Sequence, residues 1–406
     1  MIILAIFILI VSPAAMIGYS YWDDLSNDDS NQIQIGSWWG TAISTAQEFF
    51  DFATKTNSTA DDVYYLNNDI DFTGFNWILD ASNYNATFRG TLDGNGMTIS
   101  NLTITTTTSS NSYIGIFPIM QGGSVSNLIL SNVNIQIGYS YSSVQAGLIA
   151  GNISGLTNTI ENITINNAGV IGNSTNGTGG LVGKISNSGT TVNITNIKAT
   201  DLKVFSTSSY VGGIVGYISS SYSYLNVSDI DVEGEVSSMS TSSYTGGVLG
   251  YANSSTYFHL NRAIVNMTSQ NTLVSSYYLD YSTRYMGGFI GYNKSTSDKI
   301  IMENSFFTGS LVSSDTRRPY YIGTAVGRSS GSETLNSAYY SMVLYMETNG
   351  TLTYTPSYTP RGTMATLVNA STMPSLYWWD TFALSFVTDD NLWSQDSITG
   401  QLYLDR

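Results

Sequence analysis

GGLVGK, residues 179–184, is written repeatedly along this chain. It returns as GGIVGY from Gly212, GGVLGY from Gly246 and GGFIGY from Gly287. Weaker copies begin at Ala146 (AGLIAG) and Gly323 (GTAVGR), and IGIFPI from Ile114 heads the series. The steps are therefore 32, 33, 33, 34, 41 and 36 residues. A glycine loop that cradles phosphate is needed once, so repetition argues against that chemistry. A near-constant period of this size is the mark of stacked structural repeats.

Working outward from the glycine block, a second column appears. Asn127, Asn162, Asn196, Asp229, Asn266, Asn304 and Asn336 follow successive blocks, with Asn101 before the first. Five residues after them come Asn132, Asn167, Asp201, Gly234, Asn271, Gly309 and Ser341. Between the two columns the apolar positions alternate: Leu128/Leu130, Ile163/Ile165, Ile197/Ala199 and Ile230/Val232. Alternate positions of a strand share a face, so these side chains point inward together. A unit of about 33 residues holds roughly three short strands and cannot bury its own apolar face. Stacked on its neighbour at about 4.8 Å, each strand pairs with its copy above and below. The expected fold is all-β, a right-handed parallel β-helix (β-solenoid) of 33-residue coils. Leu148, Leu181, Ile214, Val248, Phe289 and Ala325 would pile into one apolar ladder. The glycines serve either a positive φ or a close approach of backbone. Repeated asparagines can bond to nearby backbone and to their own copies.

Ahead of the repeats, TAISTAQEFFDFATKT reads as a short capping helix. Thr45 and Glu48 form a capping box, with Phe49, Phe52 and Ala53 on one face. FRGTLDGNGMTISNLTI, the repeated Gly-Gly-apolar-apolar-Gly blocks and the ending NLWSQDSITGQLYLDR resemble the GLUG-motif repeat proteins. That family comprises extracellular β-solenoids of surface adhesins and accessory segments of bacterial immunoglobulin A metallopeptidases. The resemblance runs from Gly36 to Arg406 and implies a surface location and adhesion or scaffolding. It offers no catalytic residues to carry over.

The chain opens on MIILAIFILIVSPAAMIG, uncharged until Asp23. A cleaved signal peptide and a retained helix compete for it. It lacks the basic start of a signal peptide, and eighteen residues span about 27 Å, enough to cross a hydrocarbon core. We expect retention. An uncharged apolar helix leading into an external domain resembles archaeal type IV pilin-like subunits and archaellins, whose helix is first a membrane anchor and then the filament core. The resemblance implies homo-oligomeric assembly through Ile2, Ile3, Leu4, Ile6, Phe7, Ile8, Leu9, Ile10 and Val11, with the membrane as partner beforehand. The expected divisions are a hydrophobic N-terminal helix over 1–22, an acidic linker over 23–38, the solenoid over 39–375 and a capping segment over 376–406.

Composition excludes several functions. Of 406 residues only 11% are charged, and the net charge is −15. The 14 Lys and Arg are scattered, with no basic stripe for phosphates, so nucleic acid is not an expected partner. There is no cysteine, hence no disulfide, thiolate zinc site or thiol catalysis. The single histidine, His259, reads as structural. No cofactor, metal site or catalytic residue is expected, and the chain is read as not an enzyme.

The acidic runs offer the main challenge to that reading. DIDVEGE, residues 229–235, is either a calcium site or a solvated ridge, and the ridge is preferred. Asp69, Asp71 and Asp93, with Arg89, could gather as in β-helix polysaccharide-degrading enzymes, but turns explain them better. Fourteen N-x-S/T sequons suggest N-glycosylation. The glycine-corner sites Asn152, Asn253 and Asn293 are expected to be the most exposed, with Asn57, Asn85, Asn173, Asn176, Asn349 and Asn369 as further acceptors. Tyrosine numbers 29, in runs such as SYSYL, and suits either a protein or glycan contact surface or plain packing. The expected role is a cell-surface structural or adhesive protein, the glycosylated subunit of a pilus-like filament, with a possible surface glycan partner. The alternatives are an anchored or secreted adhesin and, from another class, a polysaccharide-degrading β-helix enzyme.

Overall fold

Asn162 and Asn167 lie inside one 16-residue strand, Thr157–Gly172, with φ of 54° and 51°. Each bends the strand without ending it, because asparagine tolerates the left-handed region. In this way one strand forms three legs of a coil. The computed structural model describes residues 40–55, 58–80, 83, 85–106, 112–138, 144–172, 175–207, 209–240, 242–271, 284–295, 299–313, 322–331, 333–340, 344–348, 351–354, 366–367, 393–395 and 402–404. It divides into two compact units, Met1–Gly40 and Thr41–Arg406. Residues 1–39, including the expected hydrophobic helix and acidic linker, lie outside the described residues.

The second unit is a parallel β-solenoid of about seven coils. The legs form a 19-stranded sheet, while the short strands on either side of each glycine block form sheets of seven and eight strands. Register follows the repeat. Ile163 pairs with Ile197 and Ile165 with Ala199; Ile197 pairs in turn with Ile230 and Ala199 with Val232. All six are fully buried or nearly so, as are Leu148, Leu181, Ile214, Val248, Phe289 and Ala325. Antiparallel pairing enters late, between Leu344–Thr348 and Thr351–Tyr354 and between Trp393–Gln395 and Leu402–Leu404.

The helix α1, Ala46–Ala53, closes the first coil. Thr45 Oγ1 accepts from the Glu48 amide at 3.2 Å, and Glu48 Oε2 accepts from the Thr45 amide at 3.1 Å, the expected capping box. Phe49, Phe52 and Ala53 are buried, and Phe49 packs on Phe72 and Trp77. An aromatic plug thus covers apolar residues that have no preceding coil.

The motif glycines resolve the open alternative. Gly180, Gly213 and Gly247 are not among the glycines with positive φ. A Cβ on Gly213 would stand 2.0 Å from the Gly247 carbonyl oxygen, and one on Gly180 would stand 2.0 Å from that of Gly213. Close approach between coils, not turn geometry, demands glycine here.

The asparagine columns need correction. One corner runs Asn127, Asn162, Asn196, Asp229, Arg262 and Asn304, all with positive φ. Asn266, expected there, lies opposite Glu233, and Asn336 lies opposite Glu303. The coil from Gly246 holds its corner with an arginine, which no amide pattern reveals. Asn101 belongs to the other corner, donating from Nδ2 to Asp71 and accepting from Asn132. Asn132, Asn167 and Asp201 continue that corner with positive φ. Asn271 lies at a strand end, opposite Ser238 and Ser313. Ser341 lies outside the described residues.

Candidate functional site

Three consecutive coils place a tyrosine on each side of the glycine block: Tyr210 and Tyr217, Tyr244 and Tyr251, Tyr285 and Tyr292. The first of each pair stands in the seven-stranded sheet and the second in the eight-stranded sheet. The glycines let these two sheets press together. A Cβ on Gly212 would stand 2.7 Å from the Gly250 nitrogen of the next coil. The six rings therefore meet. Tyr210 stacks on Tyr217 at 4.4 Å and 15°, and on Tyr244 at 5.2 Å and 11°. Tyr244 stacks on Tyr292 at 5.5 Å, while Tyr251 meets Tyr217 and Tyr292 edge-on.

Cations stand at both ends. Lys184 Nζ lies 5.9 Å from the Tyr217 ring centroid. The Arg328 guanidinium lies over Tyr285 at 5.0 Å and Tyr292 at 5.7 Å, and donates from Nη1 to the Tyr285 hydroxyl. Burial pushes the Tyr244 phenol up to about 12, with the nearby Tyr210, Tyr285 and Tyr292 adding to the rise. Burial likewise raises Tyr210, Tyr217 and Tyr251, and lowers Lys184. These phenols stay neutral at physiological pH. The rings face one another along the ladder, with Lys184 and Arg328 over the end rings Tyr217 and Tyr292. The cluster is a tie between two sheets, each ring pair adding about 0.5–1.5 kcal/mol beyond area burial. Its sequence signal is a tyrosine just before and just after GGxxG in successive coils.

The tyrosines of SYSYL differ. Tyr222 is 56% and Tyr224 41% exposed, and Tyr224 stacks on Tyr257 at 4.4 Å and 8°. Lys299 Nζ lies 4.1 Å from the Tyr257 centroid and 5.2 Å from that of Tyr222.

The carboxylates singled out in sequence are engaged one by one. Asp69 Oδ1 accepts from the Thr98 amide at 2.7 Å, and Asp93 Oδ1 accepts from the Asn95 amide and Asn127 Nδ2. Asp71 Oδ1 accepts from the Thr73 amide and hydroxyl and from Asn101. Hydrogen bonds from Asn101 and Thr73 hold its carboxyl below the usual range. Arg89 instead donates to Gln121 Oε1 at 2.6 Å. Asp71 and Asp93 are the last residues of the strands Ile70–Asp71 and Thr91–Asp93, and Asp69 directly precedes the first of these.

DIDVEGE is split. Asp229 is buried and paired with Arg262, while Glu233 and Glu235 line an open groove of about 380 Å3 with Asp201, Lys203, Asn266 and Thr268. Lys203 Nζ lies 2.8 Å from Asp201 Oδ1 in that groove. Among the described residues no cluster of His, Cys, Asp and Glu could hold a metal ion. His259 Nε2 lies 3.3 Å from Glu303 Oε2 at the surface.

The exposure expected of the corner sequons is not found. Asn152 is 4% exposed and Asn293 fully buried. Asn293 donates from Nδ2 to Ser329 Oγ and Glu333 Oε1 and accepts from the Ser295 amide. Asn253 is half-buried and donates to the Ser219 carbonyl at 2.6 Å. Asn152 and Asn293 lie in the strands Ala150–Ser154 and Ile290–Asn293 and are buried, whereas Asn253 follows the strand Leu249–Ala252. Asn85 and Asn176 are exposed, whereas Asn57, Asn173, Asn349 and Asn369 lie outside the described residues. So do the assembly residues Ile2, Ile3, Leu4, Ile6, Phe7, Ile8, Leu9, Ile10 and Val11. No described helix is long and apolar enough to cross a membrane.

No protein-family model matches the chain, and no curated protein matches it. Its fold is similar to a crystal structure named as a "putative immunoglobulin A1 protease from Bacteroides ovatus", with a TM-score of 0.53. The likeness covers 90% of this chain and 92% of that one at 16% identity. At that identity the likeness is one of fold alone.

Proposed function

We propose that this chain is an extracellular structural or adhesive surface protein of the GLUG-motif kind. In the form we favour it is the repeating, glycosylated subunit of a pilus-like filament, with its apolar N-terminal segment bundled among copies of itself. The observation that carries the reading is how the polar side chains are used. Asp93, Asn127, Asn162 and Asn196 are linked in sequence by side-chain hydrogen bonds of 2.6–3.0 Å, one per coil. Such chemistry ties coils together and occupies the carboxylates of Asp69, Asp71 and Asp93, which suits a scaffold rather than a catalyst. The exposed Tyr222, Tyr224, Asn85 and Asn176 are among the described groups through which such a scaffold would meet a partner or carry a glycan.

Electron microscopy of native cell-surface material, labelled with antibody to this chain, tests the proposal. Labelled filaments that disappear in an Ile6→Asp strain are expected. Label confined to dispersed single molecules would end the filament reading. Turnover of a polysaccharide by the purified chain, abolished by Asp69→Asn or Asp93→Asn, would end the non-catalytic one.

A further inference from the structure

Tyr224 and Tyr257 occupy the same register position on adjacent strands, with Leu225 and Phe258 beside them turned inward and buried. Both phenols therefore project from the outer face of the long sheet. Their rings lie parallel, 8° apart, at a centroid distance of 4.4 Å. That separation is close to the strand spacing of about 4.8 Å, so backbone pairing itself holds the rings together. Lys299 covers Tyr257 at 4.1 Å, leaving Tyr224 as the ring stacked against it. Tyr224 is 41% exposed and Tyr257 half-buried, so an oxidant reaches the pair through Tyr224. With no cysteine in the chain, a covalent tie between coils cannot be a disulfide.

We infer that Tyr224 and Tyr257 form an oxidative cross-linking site, at which a peroxidase-class oxidant joins two successive coils through a dityrosine bond. Each phenol loses one electron and one proton, giving a tyrosyl radical with spin on the carbon ortho to oxygen. A small rotation of the stacked rings brings two such carbons together and a carbon–carbon bond forms. The hydrogens on those carbons move to the oxygens and restore both rings. Overall the two tyrosines lose two hydrogen atoms, and one hydrogen peroxide is reduced to two waters. The ladder tyrosines stack as closely, but Tyr251 and Tyr285 are buried, the burial of Tyr210, Tyr217 and Tyr244 opposes loss of the phenolic proton, and the half-buried Tyr292 has its hydroxyl hydrogen-bonded with Ser330 Oγ at 2.9 Å. Selectivity for the pair that contains the exposed Tyr224 follows.

The test treats the full chain with a haem peroxidase and hydrogen peroxide, then maps linked peptides by mass spectrometry. The expected product is a single chain, lighter by two hydrogen atoms, in which a peptide holding Tyr224 is joined to one holding Tyr257. The linked peptide should vanish in Tyr257→Phe, and also when the wild-type chain is denatured before oxidation. Coupling confined to other tyrosines or to links between chains would overturn the inference. So would an equal yield of the Tyr224–Tyr257 link from denatured protein. Filament formation plays no part in this readout.

Discussion

Arg262 stands one coil beyond Asp229 at the same corner, with Nη2 donating to Oδ2 at 2.8 Å and Nε lying 2.7 Å from Oδ1. In earlier coils of this corner Asn162 donates to Asn127 and Asn196 to Asn162, so here a charged pair has replaced a neutral link. Asp229 is 2% exposed, and its carboxylate has been taken out of water. Removing the arginine alone leaves a buried charge uncompensated, which costs about 3–5 kcal/mol. Arg262→Met should lower stability by that order in denaturant unfolding. The double variant Arg262→Asn with Asp229→Asn should recover most of the loss by restoring the amide pattern.

Two glycines separate steric from conformational need. Gly213→Ala sets a methyl against the Gly247 carbonyl oxygen and should destabilise by on the order of 3 kcal/mol. Gly96 has φ of 71°, and a Cβ added there would meet nothing within 4 Å. At that position Gly96→Asn, which tolerates the conformation, should change stability by no more than about 0.5 kcal/mol. Equal melting curves for the Gly213→Ala variant and the parent chain would contradict the packing of the glycine corner.

Alkaline pH should loosen the solenoid through its tyrosines. Tyr244 holds its proton to about 12 when folded, against an ordinary value of 10.0, and Tyr210, Tyr217 and Tyr251 are raised for the same leading cause. The unfolded chain gives up these protons first, so the native state binds more of them through that window. Their contribution is complete below pH 10 and is lost as pH rises toward 12. Burial lowers Lys184 below 10.5, which acts in the opposite sense as pH rises to that value, but it is one amine against four phenols. Thermal midpoints should fall between pH 10 and 12, and Tyr244→Phe should flatten the fall. Tyrosinate absorbance should show a late-titrating group that disappears on unfolding.

Glycopeptide mapping of native protein should find glycans at Asn85 and Asn176, where the side chains face solvent, and none at Asn152 or Asn293. Transfer requires Nδ2 to leave its surroundings, and at Asn293 it is already donated to two acceptors. Occupied Asn293 would show that modification precedes folding.

The coil was legible because the positions that build it repeat in kind. Ile163 and Ile197 are isoleucines, and Gly180 and Gly213 are glycines, so chemistry and period coincide. Legibility failed where one geometry is met by different residues. Arg262 takes an asparagine position because pairing with Asp229 substitutes for an amide bond. Gly189, Tyr222 and Ser255 share a third corner, all with positive φ, yet have no chemistry in common to align. The sequons misled for a related reason: Asn152 lies within the strand Ala150–Ser154, and its inward turn depends on coil packing rather than on its neighbours in sequence. The tyrosine ladder was written plainly on both sides of GGxxG, but tyrosine alone does not tell a packed ring from an exposed one.

Because every coil pairs only with the one before and the one after, its neighbours need not know how many coils there are. Excising residues 147–179 would set Asn196 against Asn127, and Leu128 and Leu130 against Ile197 and Ala199, which are already the kinds of pairs the solenoid makes. The shortened chain should fold, whereas loss of a few residues more or fewer would turn apolar legs outward. The molecule is in this sense a ruler graduated in steps of about 4.8 Å. Its reach can be lengthened or cut by whole graduations while the chemistry displayed along its sides stays the same.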